Sequence, residues 1–314
     1  MYKVLKMSKA SENINDLTFT DYYYRLMLLA RALFKWENLP NGIDEKWIER
    51  YLFSEGKCMF FYDDNLGYFV TDCVLSGGVN CNNEPINLIP ITTGVDVIEQ
   101  KEYTNFTGRV TSTKEKPFTK SKNGKLPTGK KGAILIKNND VMLPTSFTIN
   151  LFALRLTEIQ RTIDINIEAQ QTPTLITGSE KQRLSLSAIY RKWKGHEPVI
   201  FGDKSLDGTP LNVLKTDAPI VFDKLQIQKH SVWNEVMTFL GVNNANMDKR
   251  ERLVDDEVQA NNEQIELSAD IMLKSREKAC ELINTLFDLP QPVKVSLRTE
   301  KEIREIIQGG VTND

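Results

Sequence analysis

Between Thr148 and Gln170 the apolar side chains Phe152, Leu156, Ile159, Ile163 and Ile167 recur along one line, while Arg155, Glu158, Arg161 and Glu168 lie off it. That is the period of an amphipathic helix. At 1.5 Å per residue it makes a rod of roughly 35 Å, closed by Thr172-Pro173, since the residue before a proline is pushed out of the helical region. A second rod is predicted to start at Thr216-Asp217-Ala218-Pro219, a capping residue followed by proline in the first turn, and to end at Gly241. Val221, Leu225, Val232, Val236 and Phe239 form its apolar face. Lys224, Gln228, Ser231 and Glu235 share the opposite face, so Lys224 is expected to point away from the packing. Two long helices, each with one apolar face, are thus expected.

The flanking sequence has a different character. A helix is predicted over 21–37, with Thr20 as N-cap and Pro40 beyond it, and a shorter one after Ile43-Asp44 carries Trp47, Ile48, Tyr51 and Leu52. From Cys58 to Val141, the β-prone runs Met59–Tyr62, Tyr68–Val70 and Ile134–Ile136 alternate with the turn formers Asp63-Asp64-Asn65, Ser76-Gly77-Gly78 and Asn138-Asn139-Asp140. This reads as a small antiparallel sheet. Inside it, Lys114 to Lys131 has too few large apolar side chains to order itself strongly and reads as a loop. Residues 172–216 read as a compact α/β insert, with strands at 174–176, 199–201 and 211–214 and a helix over 181–192. A third long helix is predicted over 263–287, cut by Pro290 and followed by a strand at 293–297. The fold class is therefore α+β.

The run from Val242 to Asn262 is unusual: about twenty residues, mostly charges and asparagines, with Met247, Leu253, Val254 and Val258 as its large apolar side chains. Loops longer than ~12–15 residues are uncommon inside compact domains and are usually functional when they occur. Here it reads as a polar loop held between rigid helices, containing Asn243, Asn244, Asn246, Asp248, Glu251, Asp255 and Asp256.

Chemistry finds little foothold. Gly124-Lys125-Leu126-Pro127-Thr128-Gly129-Lys130-Lys131 nearly matches a phosphate-binding loop, but Lys131 stands where a Mg²⁺-holding hydroxyl belongs. Such a loop must also open a helix, whereas a strand-like run follows. The two histidines, His196 and His230, sit apart from any nucleophile, and Asp255-Asp256-Glu257 splay in different directions as consecutive residues do. Cys58, Cys73, Cys81 and Cys280 lack metal-binding spacing, and the N-terminal residues do not read as a signal peptide, which predicts a reduced intracellular setting. The most apolar stretch, Leu26 to Phe34, is broken by Arg31 and too short for a membrane span. No enzyme, cofactor or metal site is expected.

Net charge is only -2, so any contact with nucleic acid has to come from locally placed bases. Lys215 precedes the second rod, Lys224 lies on its polar face, and Lys249, Arg250 and Arg252 fall in the long loop. On a monomer these are ordinary solvated charges. In a ring of identical chains each becomes a circle of positive charge, able to meet phosphates without reading bases.

Longer strings carry a specific likeness. Leu33-Phe34-Lys35-Trp36-Glu37-Asn38-Leu39-Pro40, Lys215-Thr216-Asp217-Ala218-Pro219 and Val232-Trp233-Asn234-Glu235-Val236-Met237-Thr238-Phe239-Leu240-Gly241-Val242 resemble the upper collar (connector, or portal) proteins of phi29-like podophages. The similarity continues in order through Asn244-Ala245-Asn246, Lys249-Arg250-Glu251-Arg252, Asp256-Glu257-Val258, Asn262–Glu266 and Leu273–Glu281, over nearly the whole chain. The resemblance implies a portal fold assembled as a dodecameric ring at one capsid vertex. In it, 1–146 forms a wing with N-terminal helices and a small β region, and 147–171 and 217–242 are stem helices. Residues 172–216 form a clip, 243–262 a channel loop, and 263–314 a helix and strand of the wide end. It places Lys215, Lys224, Lys249 and Arg250 at channel-lining lysine positions, with Arg250 a change of type that keeps the charge. It implies double-stranded DNA, the major capsid and scaffolding proteins, a lower collar (tail) protein and a packaging ATPase as partners. It also implies residence in the virion at the head–tail interface after assembly in the host cytoplasm. Against the family's strongly basic N-terminal arm, tied to packaging-RNA and DNA contact, Met1 to Asp16 offers only Lys3, Lys6 and Lys9 beside Glu12 and Asp16, which leaves a packaging RNA a doubtful partner. The 114–131 segment looks like an addition.

Overall fold

In the computed structural model the described residues are 10–65, 67–91, 101–108, 131–170, 174–175, 212–213, 219–242, 255–299 and 302–303. Five helices and ten strands are defined among them. The helices are α1 (Ala10–Arg31), α2 (Glu45–Ser54), α3 (Thr145–Gln170), α4 (Phe222–Leu240) and α5 (Asp255–Leu286). The strands are β1 (Phe34–Glu37), β2 (Lys57–Asp63), β3 (Gly67–Thr71), β4 (Cys73–Val79), β5 (Pro85–Pro90), β6 (Tyr103–Asn105), β7 (Gly132–Lys137), β8 (Thr174–Leu175), β9 (Asn212–Val213) and β10 (Lys294–Leu297). The architecture is mixed α+β. The chain divides into a unit made of Met1–Thr157 with Ser231–Asp314, and a smaller unit, Glu158–His230.

In the larger unit a six-stranded sheet runs in the order β3-β2-β7-β6-β5-β4. All neighbours are antiparallel except β6 and β7, which run parallel with Thr104 opposite Gly132. The wholly antiparallel sheet expected from the sequence is thus corrected. The long connection 106–131 between these strands lets the chain return in the same direction, as a parallel pair requires. Ser76-Gly77-Gly78 is not a separator between strands; it lies within β4, where the pairing with β5 shifts register between Ser76 and Val79. Gly77 and Gly78 both take positive φ at this bulge.

One face of the sheet packs on α2 and α5 through Phe60, Ile134, Ile136, Ile48, Leu52, Ile283 and Phe287, all buried. The other face buries Met59, Phe61, Leu88, Tyr103 and Leu135. Alternation along β2 accounts for both sets, since neighbouring side chains point to opposite faces. β2 and β7 are buried on both sides and so read as continuous apolar runs.

Three helices differ from expectation in their bounds. α1 starts at Ala10 and stops at Arg31, and Phe34–Glu37 is strand β1, paired antiparallel with β10. Helical and strand periods coincide over so short an apolar run, and the pairing with Lys294–Leu297, more than 250 residues away, decides between them. α4 begins at Phe222 rather than at Pro219. α5 begins at Asp255, eight residues before the predicted start, so Asp255 and Asp256 occupy a first helical turn instead of a loop. Negative charge there is favoured by the helix dipole, an effect the polar composition of 255–262 conceals.

Candidate functional site

α3 and α4 pair through polar as well as apolar contacts. In the smaller unit the buried Asn166 on α3 donates from Nδ2 to the carbonyl of Pro219 at 3.0 Å, and its Oδ1 accepts from the Val221 N–H at 3.2 Å. One amide thereby satisfies both polar groups of the backbone leading into α4, a helix end that otherwise leaves N–H groups without partners. Lys229 Nζ donates to Gln160 Oε1 at 2.6 Å. In the larger unit Phe152 meets Phe239 with ring centroids 6.4 Å apart, and Arg155 forms an ion pair with Glu235 at 3.1 Å. Val232, Val236, Met237 and Leu240 complete the buried face of α4, and Gly241 closes the helix with φ +74°.

Helical spacing puts Lys224, Gln228, Ser231 and Glu235 on one face of α4, and all four are exposed, as the sequence led us to expect. Of the five basic residues singled out, Lys224 is the one with a described position. Lys215, Lys249, Arg250 and Arg252 lie outside the described residues, as do Asn243, Asn244, Asn246, Asp248 and Glu251 of the polar loop. The insert at 172–216 is described only at the antiparallel pair β8–β9, Thr174 opposite Val213 and Leu175 opposite Asn212. Gly124–Lys130 also lies outside. Lys131 is described, bonded to Asp64 at 2.8 Å, and strand β7 follows it directly, where a phosphate loop would open a helix.

The described side chains offer little reactive chemistry. Cys58, Cys73 and Cys280 are buried; burial pushes the Cys73 and Cys280 thiols up to about 12, and Cys58 moves in the same direction. His230 is exposed, with Nε2 3.1 Å from the Gln226 amide. Among the described residues no three His, Cys, Asp or Glu side chains gather as a metal site would require, and no helix is long and apolar enough to cross a membrane.

A buried charged cluster went unseen in the sequence. Arg276 of α5 is 2% exposed and its guanidinium uses all five N–H donors. Nε and Nη2 hold the two carboxylate oxygens of Glu49 at 2.9 and 2.8 Å. Nη2 also reaches Asn138 Oδ1 at 3.0 Å, and Nη1 reaches the Asn138 and Met272 carbonyls at 3.3 and 3.0 Å. The guanidinium lies 3.8 Å from the centroid of the Phe34 ring, and Trp36 Nε1 donates to Glu49 Oε1 at 2.8 Å. Asn138 Nδ2 continues the network to Thr145 Oγ1 at 2.9 Å, at the first residue of α3. A rigid polar joint thus links β1, α2, α5 and the start of α3. The one signal available in the sequence was Glu49, placed between Ile48 and Leu52 on what proves the buried face of α2.

Among solved structures, the chain is similar to a chain of the "Portal and tail of native bacteriophage P68". The two are 14% identical, with all of both chains covered and a TM-score of 0.43. The family model described as Phage Connector (GP10) matches residues 1–303, almost the full length. Paired long helices, the second closed by a glycine and carrying an exposed lysine on its polar face, accompany that match: the chain belongs to the phage connector family, the head–tail connectors of bacteriophages.

Proposed function

We propose that copies of this chain assemble into a closed ring, a dodecamer by the family likeness, whose central channel conducts double-stranded DNA during packaging and ejection. The observation that carries the reading is the connector match over residues 1–303. In this assembly α3 and α4 are stem helices, 172–216 is the clip outside the shell, and the N- and C-terminal parts build the wide end inside it. The channel loop is shortened by the start of α5 to 243–254.

Lys215, Lys224, Lys249, Arg250 and Arg252 supply rings of positive charge along the channel. Such contacts with phosphate are independent of sequence and weaken with salt, which suits a moving polyanion. Acidic neighbours such as Glu235, Asp248 and Glu251 keep the attraction from becoming a trap. The protein acts without chemistry of its own: it positions DNA, gives the packaging ATPase a platform, and joins capsid and scaffolding proteins on one side to the lower collar on the other. Its place is the head–tail vertex of the virion, after assembly in the host cytoplasm.

Native mass spectrometry with negative-stain imaging of the purified protein tests the ring. About twelve chains around a central hole is the expected result, and a monomer at every concentration and salt overturns the reading. With the ring in hand, Lys249→Ala with Arg250→Ala is expected to reduce retention of packaged DNA while leaving ring mass unchanged. Unchanged retention removes these two residues from the channel role.

A further inference from the structure

A ring of identical chains joins two different surfaces of each subunit, head to tail. The larger unit carries two exposed apolar surfaces suited to this. The first is the outer face of α3 with the turn before it. Val141 is 77% and Phe147 68% exposed, and Leu143, Leu151, Leu154 and Ile271 are about half exposed. Leu143 and Ile271 line one open groove of about 150 Å³, together with Thr148, Phe239 and Met272. That volume is enough for a side chain of benzene size. At roughly 100 Å² apiece these six side chains leave about 600 Å² of apolar surface in water. This is the top of the range that monomers show, and it approaches the ~800 Å² that each partner contributes to a specific interface.

The second surface is a stripe on α1: Leu17, Asp21, Tyr24 and Leu28, at i, i+4, i+7 and i+11, with the three apolar members each more than half exposed. Phe147, Leu151 and Leu154 repeat the i, i+4, i+7 positions of that spacing on α3. Matching ridges of this kind interlock when two helices pack.

We propose that the α1 stripe of one copy covers the Phe147–Leu151–Leu154 face and groove of the next, and that this contact closes the ring. The inference rests on the ring reading above. The substitutions Leu151→Glu and Tyr24→Glu alter exposed positions, so each variant chain is expected to keep its far-UV circular dichroism and denaturation midpoint. Each alone is expected to run as a monomer by native mass, since every contact in its ring has one damaged face. Mixed in equal amounts they are expected to give a dimer and nothing larger, because one intact α1 stripe meets one intact α3 face and the remaining two are spoiled. A wild-type ring that persists in either variant overturns the inference while leaving the ring itself standing. A mixture that stays monomeric assigns the partner surface elsewhere, for example to the exposed β4–β5 side chains, and overturns the pairing. A wild-type protein that is itself monomeric overturns both readings.

Discussion

Replacing Arg276 by alanine should be among the most damaging single changes in the larger unit, and its cost follows from the contacts. The substitution removes two charge-assisted bonds to Glu49 and three bonds to the Asn138 and Met272 oxygens. It leaves a carboxylate that is 3% exposed with Trp36 Nε1 as its one remaining side-chain donor. Breaking a buried ion pair by deleting one partner typically costs about 3–5 kcal/mol. The orphaned Asn138 oxygens put this case near 4–5 kcal/mol, a large share of the 5–15 kcal/mol that holds a typical domain folded. Glu49→Ala should cost slightly less, near 3–4 kcal/mol, since part of the guanidinium's bonding to Asn138 and Met272 survives. The two losses should not add. Once either ion is gone, deleting the other relieves an unpaired buried charge, so the double variant should resemble the worse single one, a coupling of about 3 kcal/mol. Guanidinium unfolding of all four proteins at one fixed chain concentration measures this, fixed because assembly feeds into apparent stability. Additivity within about 0.5 kcal/mol, or an Arg276→Ala cost below about 1 kcal/mol, would refute the joint as described.

Three further outcomes are expected. Native protein at pH 8 should expose one thiol per chain to a maleimide, Cys81, and four after denaturation, which mass spectrometry of the labelled chain counts. Alkaline pH should weaken the fold. The thiols of Cys73 and Cys280 ionise near 9 in the unfolded chain and near 12 in the folded one, so their contribution is intact below pH 9 and declines between 9 and 12. About 1.4 kcal/mol per thiol should be lost by pH 10, read as a lower urea midpoint, and an unchanged midpoint would contradict the burial. Gly241→Ala should destabilise by about 2–4 kcal/mol through positive-φ strain and overpacking. A Cβ at that position would stand 2.4 Å from the Ala269 Cβ of α5, so Ala269→Gly should rescue part of the loss in thermal melts.

How far the sequence disclosed this protein depended on the distance over which each decision was made. α3 and the Gly241 stop were legible because periodicity and capping act within a few residues of the backbone they shape. The strands at Met59–Tyr62 and Ile134–Ile136 were legible too, being continuous apolar runs bounded by turn formers. The β6–β7 parallel pairing, strand β1 and the Arg276 cluster were not. Phe34–Glu37 looks like the tail of a helix until Lys294–Leu297 arrives beside it, and Arg276 looks like one more solvated base until Glu49, 227 residues earlier, is set against it. The start of α5 was misjudged for a different reason. Asp255, Asp256 and Glu257 have the composition of a loop but also that of a favourable first turn, and composition alone does not separate the two. Of the residues proposed for the channel, the sequence placed Lys224 on an exposed face by helical spacing. The role proposed for it rests on the family likeness.

The locations of the joint and of the exposed stripe point to a division of labour inside the larger unit. Asn138 is the hinge of that division: its Oδ1 accepts from the Arg276 guanidinium, and its Nδ2 donates to Thr145 and to the Leu143 carbonyl. Leu143 and Thr145 begin the very segment whose next turns present Phe147, Leu151 and Leu154 to solvent. A contact repeated around a closed ring tolerates little angular error, because any misorientation in one subunit recurs in every other and prevents closure. Apolar packing alone leaves side chains free to exchange rotamers at modest cost, whereas a guanidinium with all five donors engaged has one arrangement. If the buried cluster serves this purpose, variants that keep the fold but loosen the joint should assemble incorrectly before they unfold. Arg276→Lys retains the charge and loses the forked geometry. It should therefore yield rings of mixed subunit number or open arcs in negative-stain images at temperatures where circular dichroism still reports a folded chain. Uniform rings up to the unfolding temperature would separate the joint from assembly and leave it a matter of stability alone.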